Sequence, residues 1–105
     1  MLRILEDLLQ NLGGTLYYSD ELLPPGARGN KTIVIKKDLP EHEKELTLLH
    51  EIVHFILRHK TPKSTTERML QELKVNRISG KVFIVIKKAI DTDQEVSEVL
   101  RSEYL

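Results

Sequence analysis

The stretch Leu46-Thr47-Leu48-Leu49-His50-Glu51-Ile52-Val53-His54-Phe55-Ile56-Leu57 decides the fold, because as an α-helix it is apolar nearly all round. A helix of that kind is buried, and Pro40 with the glutamates after it favours a helix from about Pro40 to His59. His50 and His54 are four residues apart, so they lie one turn apart on the same face. Buried imidazoles need partners, and one metal ion would satisfy both.

Glu51 follows His50 directly and completes the pattern H-E-x-x-H, which is typical of zinc peptidases. In that chemistry the glutamate acts as general base toward a water activated by the metal. The bare pattern arises by chance in roughly one or two chains per hundred of this composition, so the surrounding sequence has to support it. The alternative is a buried helix that carries two hydrogen-bonded histidines.

Composition narrows the class of protein. The 105 residues predict a single domain, 1–105, with about 1–80 as a catalytic core and about 81–105 as a C-terminal segment. Lysine and arginine balance aspartate and glutamate at 16 each, which argues against a nucleic-acid binder. Without cysteine, without an apolar run long enough to cross a membrane and with acids near its start, the chain is expected to be cytoplasmic and to have no membrane partner.

The remaining elements follow from periodicity and turn residues, and they predict an α+β fold. Leucines at helical spacing run to Leu12, where Gly13-Gly14 ends the first helix. A surface loop is expected over 24–30. Three strands of a small sheet are predicted, and two further helices begin at capping boxes: Thr15–Tyr18, Thr32–Lys37 and Val82–Ile86 for the strands, Ser64–Ile78 and Thr92–Tyr104 for the helices.

A catalytic zinc usually has three protein ligands, and the third must come from outside the motif. His59 is five residues past His54, so its side chain points to a different face of the helix. The acids of the following helix are Glu67 and Glu72. Glu67 has a structural role in the capping box, whereas Glu72 lies two turns into the helix, and we favour Glu72.

The motif followed by Glu72-Leu73-Lys74-Val75-Asn76 resembles the gluzincin peptidases, and the region of about 14–79 resembles ImmA/IrrE-type peptidases. The resemblance implies that zinc is bound by His50, His54 and Glu72, with Glu51 as the catalytic base. It also implies that Asn76 hydrogen-bonds to a zinc-binding histidine. The chain departs from the pattern at Ile52-Val53, where these families usually have a small residue before the second histidine.

The short length also resembles the minigluzincins, single-domain peptidases of thermophiles that are latent as zymogens. The resemblance implies that the C-terminal segment covers the cleft, or is swapped into a partner to form a homodimer in place of a monomer. Asp91 and Asp93 are then the carboxylates that would reach the open zinc position.

The expected partner is a peptide or protein substrate, and strand Thr32–Lys37 is expected to pair with it as an added strand. The group that stabilises the oxyanion is left open among four residues: Tyr17, Tyr18, Tyr104 and Arg68. The alternative function is a non-catalytic, zinc-stabilised interaction or regulatory module. Glu51 argues against it, because a structural site needs no general base.

Overall fold

A computed structural model describes residues 1–20, 26–28, 31–58 and 62–104, with the backbone alone for 26–28. The class is α+β, as predicted. The elements follow the chain in this order: α1 (Leu2–Asn11), β1 (Thr15–Ser19), β2 (Gly26–Arg28), β3 (Thr32–Lys36), α2 (Glu41–Ile56), α3 (Thr65–Asp91) and α4 (Val96–Tyr104). The backbone forms two compact units, Met1–Ile52 and Val53–Leu105.

Helix α1 begins the first unit and buries one leucine face, formed by Leu5, Leu8 and Leu9. It ends as the sequence predicts. Gly13 has a φ of 92°, a left-handed value that glycine adopts without steric cost, and its N–H donates to Gln10. The N–H of Gly14 donates to the carbonyl of Leu9, which completes a Schellman stop.

Strand β3 is the centre of a three-stranded sheet with the order β1-β3-β2. It runs parallel to β1, with Tyr17 opposite Val34, and antiparallel to β2, with Ala27 opposite Val34. The alternating residues Ile33 and Ile35 are buried. Part of the loop predicted over 24–30 is therefore strand β2, and the rest of that loop lies outside the described residues.

The central position of β3 corrects the expected role of Thr32–Lys37 in substrate binding. Both of its hydrogen-bonding edges are occupied, one by β1 and the other by β2. A peptide cannot add to a strand whose two edges are already paired. Within the described residues the edges of this sheet belong to β1 and β2.

Helix α2 contains the central motif and is three residues shorter than predicted at its C-terminal end. The N–H of Lys44 donates to the carbonyl of Pro40, and Ile52, Val53 and Ile56 are buried along the helix. The helix is not covered all round, because Leu46 is exposed. Arg58 then takes a φ of 56°, a left-handed value with which the helix cannot continue. His59, the predicted end, lies outside the described residues.

Helix α3 begins at the predicted cap, where Ser64 Oγ accepts a hydrogen bond from the N–H of Glu67. It does not stop at Ile78 but continues to Asp91, so the predicted strand Val82–Ile86 is wrong. Continuous apolar runs do not distinguish strands from buried helices. The burial is helical, because Val82 and Ile86 are buried one turn apart while Ile84 is 66% exposed; a strand would bury all three.

The end of α3 also corrects the predicted start of the last helix. Thr92 caps the C-terminus of α3 by donating its hydroxyl to the carbonyl of Lys88. Asp93 takes a φ of 56°, and the N–H of Gln94 donates to the carbonyl of Ala89, which is a second Schellman stop. Helix α4 therefore begins only at Val96 and packs against α3 within the second unit.

None of the helices in the described part of the chain has both the length and the apolar character needed to cross a membrane.

Gly80 lies in the interior of α3, and a Cβ added there would meet nothing within 4 Å. Glycine is destabilising inside a helix because the unfolded chain loses more freedom on folding. We therefore expect Gly80→Ala to raise the free energy of unfolding by about 0.5–1 kcal/mol, measured by urea denaturation. Gly13→Ala is the matched control and should lower it, because alanine is strained at a φ of 92°. A loss of stability in the Gly80 variant would contradict the helical assignment.

Candidate metal centre

The two motif histidines lie one turn apart on α2 and are buried to different degrees. His54 is almost completely buried, with 1% of its side chain exposed, and His50 is half-buried. Glu51 lies between them in sequence and is buried, at 7% exposure. A buried carboxylate and two imidazoles on one helix are costly unless each has a polar role.

Glu72 supplies the partner for the more buried histidine. The Nε2 atom of His54 donates a hydrogen bond to Oε1 of Glu72 at 3.0 Å, and the Glu72 side chain is 41% exposed. The cap at Ser64 places Glu72 two turns into α3. The local start signal of α3 thus fixes which side of the helix presents this carboxylate.

His50, His54 and Glu72 each offer one ligand atom, and these atoms all lie within 4.8 Å of one another. Two imidazole nitrogens and one carboxylate oxygen are the donor set of catalytic zinc sites. Donors bound tetrahedrally at about 2.0–2.1 Å are about 3.4 Å apart, which lies within that limit. The side chains present therefore fit a metal ion of the zinc type.

The other acids of the sequence prediction lie elsewhere. Glu67 is used at the start of α3, because its Oε2 accepts a hydrogen bond from the N–H of Lys63 at 3.1 Å. Asp91 lies about 28 Å along α3 from Glu72, at about 1.5 Å per residue. Asp91 therefore does not reach the metal position in this structure, and Asp93 follows the end of the same helix. Asn76 is exposed one turn beyond Glu72, and its predicted bond to a histidine stays a prediction.

Two of the four candidates for the oxyanion donor, Tyr18 and Arg68, are distinguished by their surroundings. The hydroxyl of Tyr18 donates to Oε2 of Glu6 at 2.6 Å, and the Nζ atom of Lys44 lies 5.2 Å from the Tyr18 ring centre. This hydroxyl is already hydrogen-bonded within the first unit. Arg68 lies on α3 one turn before Glu72 and is exposed, so it alone of the four shares a helix with a candidate ligand.

A helix with the H-E-x-x-H motif and a carboxylate from a second helix define a metallopeptidase-like domain. Residues 2–96 match the peptidase family described as the IrrE N-terminal-like domain, and the chain belongs to this family. The resemblance to ImmA/IrrE-type peptidases is thereby confirmed, whereas the narrower resemblance to the minigluzincins stays a prediction. No curated protein and no solved structure matches the chain.

Loss of the carboxylate ligand should weaken metal binding more than loss of a neighbouring acid. Removal of a residue that hydrogen-bonds to a metal ligand lowers metal affinity about 10- to 100-fold. We expect Glu72→Ala, which removes a ligand itself, to lower zinc affinity by more than that. The measurement is competition with a zinc chelator at fixed pH. Glu67→Ala on the same helix is the control and should leave zinc affinity unchanged. Equal affinities in all three proteins would rule out Glu72 as a ligand.

The Tyr18–Glu6 pair gives a pH dependence of stability. Burial raises the pKa of Tyr18 above its usual value, and the hydrogen bond to Glu6 raises it further. A group whose pKa is raised on folding contributes stability below its unfolded pKa of about 10, and this is lost as the pH rises above that value. Between about pH 9 and 11, the wild type should lose more stability than Tyr18→Phe, by denaturant titration. Tyr17→Phe, at an exposed tyrosine, should behave like the wild type.

Proposed function

We propose that the chain is a zinc-dependent metalloendopeptidase with Glu51 as its general base. The observation that carries the proposal is the convergence of His50, His54 and Glu72 beside a buried Glu51. A zinc ion held by these three side chains would supply Lewis acidity toward a water molecule and the scissile carbonyl. Membership in a peptidase family supports the same reaction.

Glu51 has the proton-transfer role in this proposal. It lies next to His50 on α2, and at 7% exposure its carboxylate is shielded from bulk water. It accepts a proton from the attacking water and passes that proton to the leaving amine. A site that only stabilises a fold has no use for such a buried base, which favours the enzyme over a non-catalytic, zinc-stabilised module.

An inhibitory role of residues 81–105 stays a prediction from the sequence, and Asp91 is not the residue that would carry it. Much of this segment is the second half of α3, and Leu100 of α4 is buried within the second unit. These residues support the helix that presents Glu72. A peptide substrate, a cytoplasmic location and the choice between monomer and swapped homodimer remain predictions from the sequence.

The test combines metal content with hydrolysis of unstructured peptides. Zinc is measured by elemental analysis in the wild type and in Glu51→Gln, and both should bind it equally. Cleavage should fall about 10²–10⁴-fold in Glu51→Gln, the usual contribution of general acid–base catalysis. Glu41→Gln, an exposed glutamate at the start of the same helix, is the control and should cleave like the wild type.

Three outcomes separate the alternatives. Zinc in both proteins with cleavage lost only in Glu51→Gln supports the enzyme. Zinc in both proteins with no cleavage of any peptide supports the non-catalytic module. Absence of zinc from the wild type after reconstitution would overturn the proposal altogether.

A further inference from the structure

Helix α3 carries a second apolar face that points away from its buried side. Met69, Leu73 and Ile84 are 60–66% exposed, and Gly80 lies between them. At 3.6 residues per turn these four positions lie within about 60° of one another and form one row, here named the outer stripe. Met69 and Leu73 lie one turn apart and Ile84 lies about three turns further along. Exposed apolar residues grouped on one helix face mark an interaction site more often than residues scattered singly do.

Positive charge accompanies the outer stripe along one side. Lys74, Arg77, Lys81 and Lys88 are all exposed and lie within about 60° of one another, next to the stripe. From Leu73 to Ile90 the sequence contains no aspartate or glutamate. We name these four side chains the cationic edge. The opposite side of the stripe carries Glu72, Asn76 and Ser79, so the positive charge lies on one side only.

We propose that the outer stripe and the cationic edge bind an acidic amphipathic helix of a partner protein. From Met69 to Ile84 the stripe extends about 22 Å, or four helical turns, which matches a helix of ordinary length. The space above Gly80, where an added Cβ would meet nothing within 4 Å, admits an apolar side chain of the partner. Carboxylates along one side of the partner helix would then face the cationic edge.

A second copy of this chain is a poorer fit. If two α3 helices paired antiparallel about a two-fold axis, each cationic edge would face the other and repel it. If they paired parallel, the cationic edge would face a side whose one carboxylate, Glu72, is hydrogen-bonded to His54. Helix α4 of a second copy would also fit poorly as the acidic partner. Its acidic residues Glu98 and Glu103 are exposed, as is Glu95 just before it, but the helix has only 9 residues and is shorter than the stripe.

An anionic membrane is also a poorer fit, because interfacial helices carry basic residues across a broad polar face and bury a wide apolar one. Here one side alone is basic, and the stripe contains a glycine in place of a large apolar residue. The one-sided charge is instead what a partner with its own one-sided row of carboxylates complements.

The probe is a labelled helix-forming peptide with leucines at positions 1, 5, 12 and 16 and glutamates along one side, titrated with the full chain. Leu73→Asp and Ile84→Asp should each weaken binding about tenfold or more, because each places a charge in the apolar contact. Leu46→Asp, at an exposed leucine of α2, is the matched control and should bind like the wild type. Circular dichroism of all variants verifies that the exposed substitutions leave the fold intact.

Charge reversal tests the cationic edge separately. Arg77→Glu should weaken binding of the glutamate peptide. A peptide with lysine in place of only the glutamate that faces residue 77 should restore it, because Lys74, Lys81 and Lys88 still face carboxylates. Failure of the wild type to bind the glutamate peptide would overturn the proposal, as would equal losses in Leu46→Asp. Binding to phosphatidylserine vesicles in place of the peptide would assign the surface to membranes. Stripe-dependent self-association in sedimentation would assign it to a second copy.

Discussion

The hydrogen bond between His54 and Glu72 is the interaction on which the rest of the structure depends. His54 is 1% exposed, and a buried imidazole without a partner would cost a large part of the stability of a small domain. Its partner is 18 residues away in sequence, on a different helix. The chain must therefore end α2, turn, and begin α3 with the correct rotation. Local signals among the described residues between the two meet that requirement.

One of those signals is a backbone angle and the other is a side-chain hydrogen bond. Arg58 has a φ of 56°, which ends α2 within one turn of His54. Ser64 then caps α3 by accepting from the N–H of Glu67, and this fixes the first residue of the helix. Once the start is fixed, 3.6 residues per turn determine which side of α3 presents residue 72. Glu67 and Glu72 therefore have different roles because they lie at different distances from Ser64. Glu67 lies in the first turn of α3, and Glu72 faces His54.

The sequence predicted those parts of the fold that depend on local chemistry. Gly13 and Ser64 mark helix ends through φ preference and hydrogen bonding, and His50 and His54 share a helical face by spacing alone. The run Val82–Ile86 was misassigned because five apolar residues in succession have no period, and only packing decides between strand and helix. Strand β2 was missed for the opposite reason, since its three residues are too few to show alternation. Because that run is helical, Asp91 lies at the far end of α3 from Glu72.

The rotation of α3 also explains why the Glu72 carboxylate is partly exposed. Val75 and Ile86 face inward, the outer stripe faces solvent, and Glu72 lies at the border between the two, 41% exposed. Structural zinc sites are closed by a fourth protein ligand, whereas a carboxylate turned outward here would lose its hydrogen bond to His54. A catalytic centre needs one position that water and a peptide can reach. The border position of Glu72 satisfies both conditions, because the same carboxylate is reached by solvent and by a fully buried imidazole.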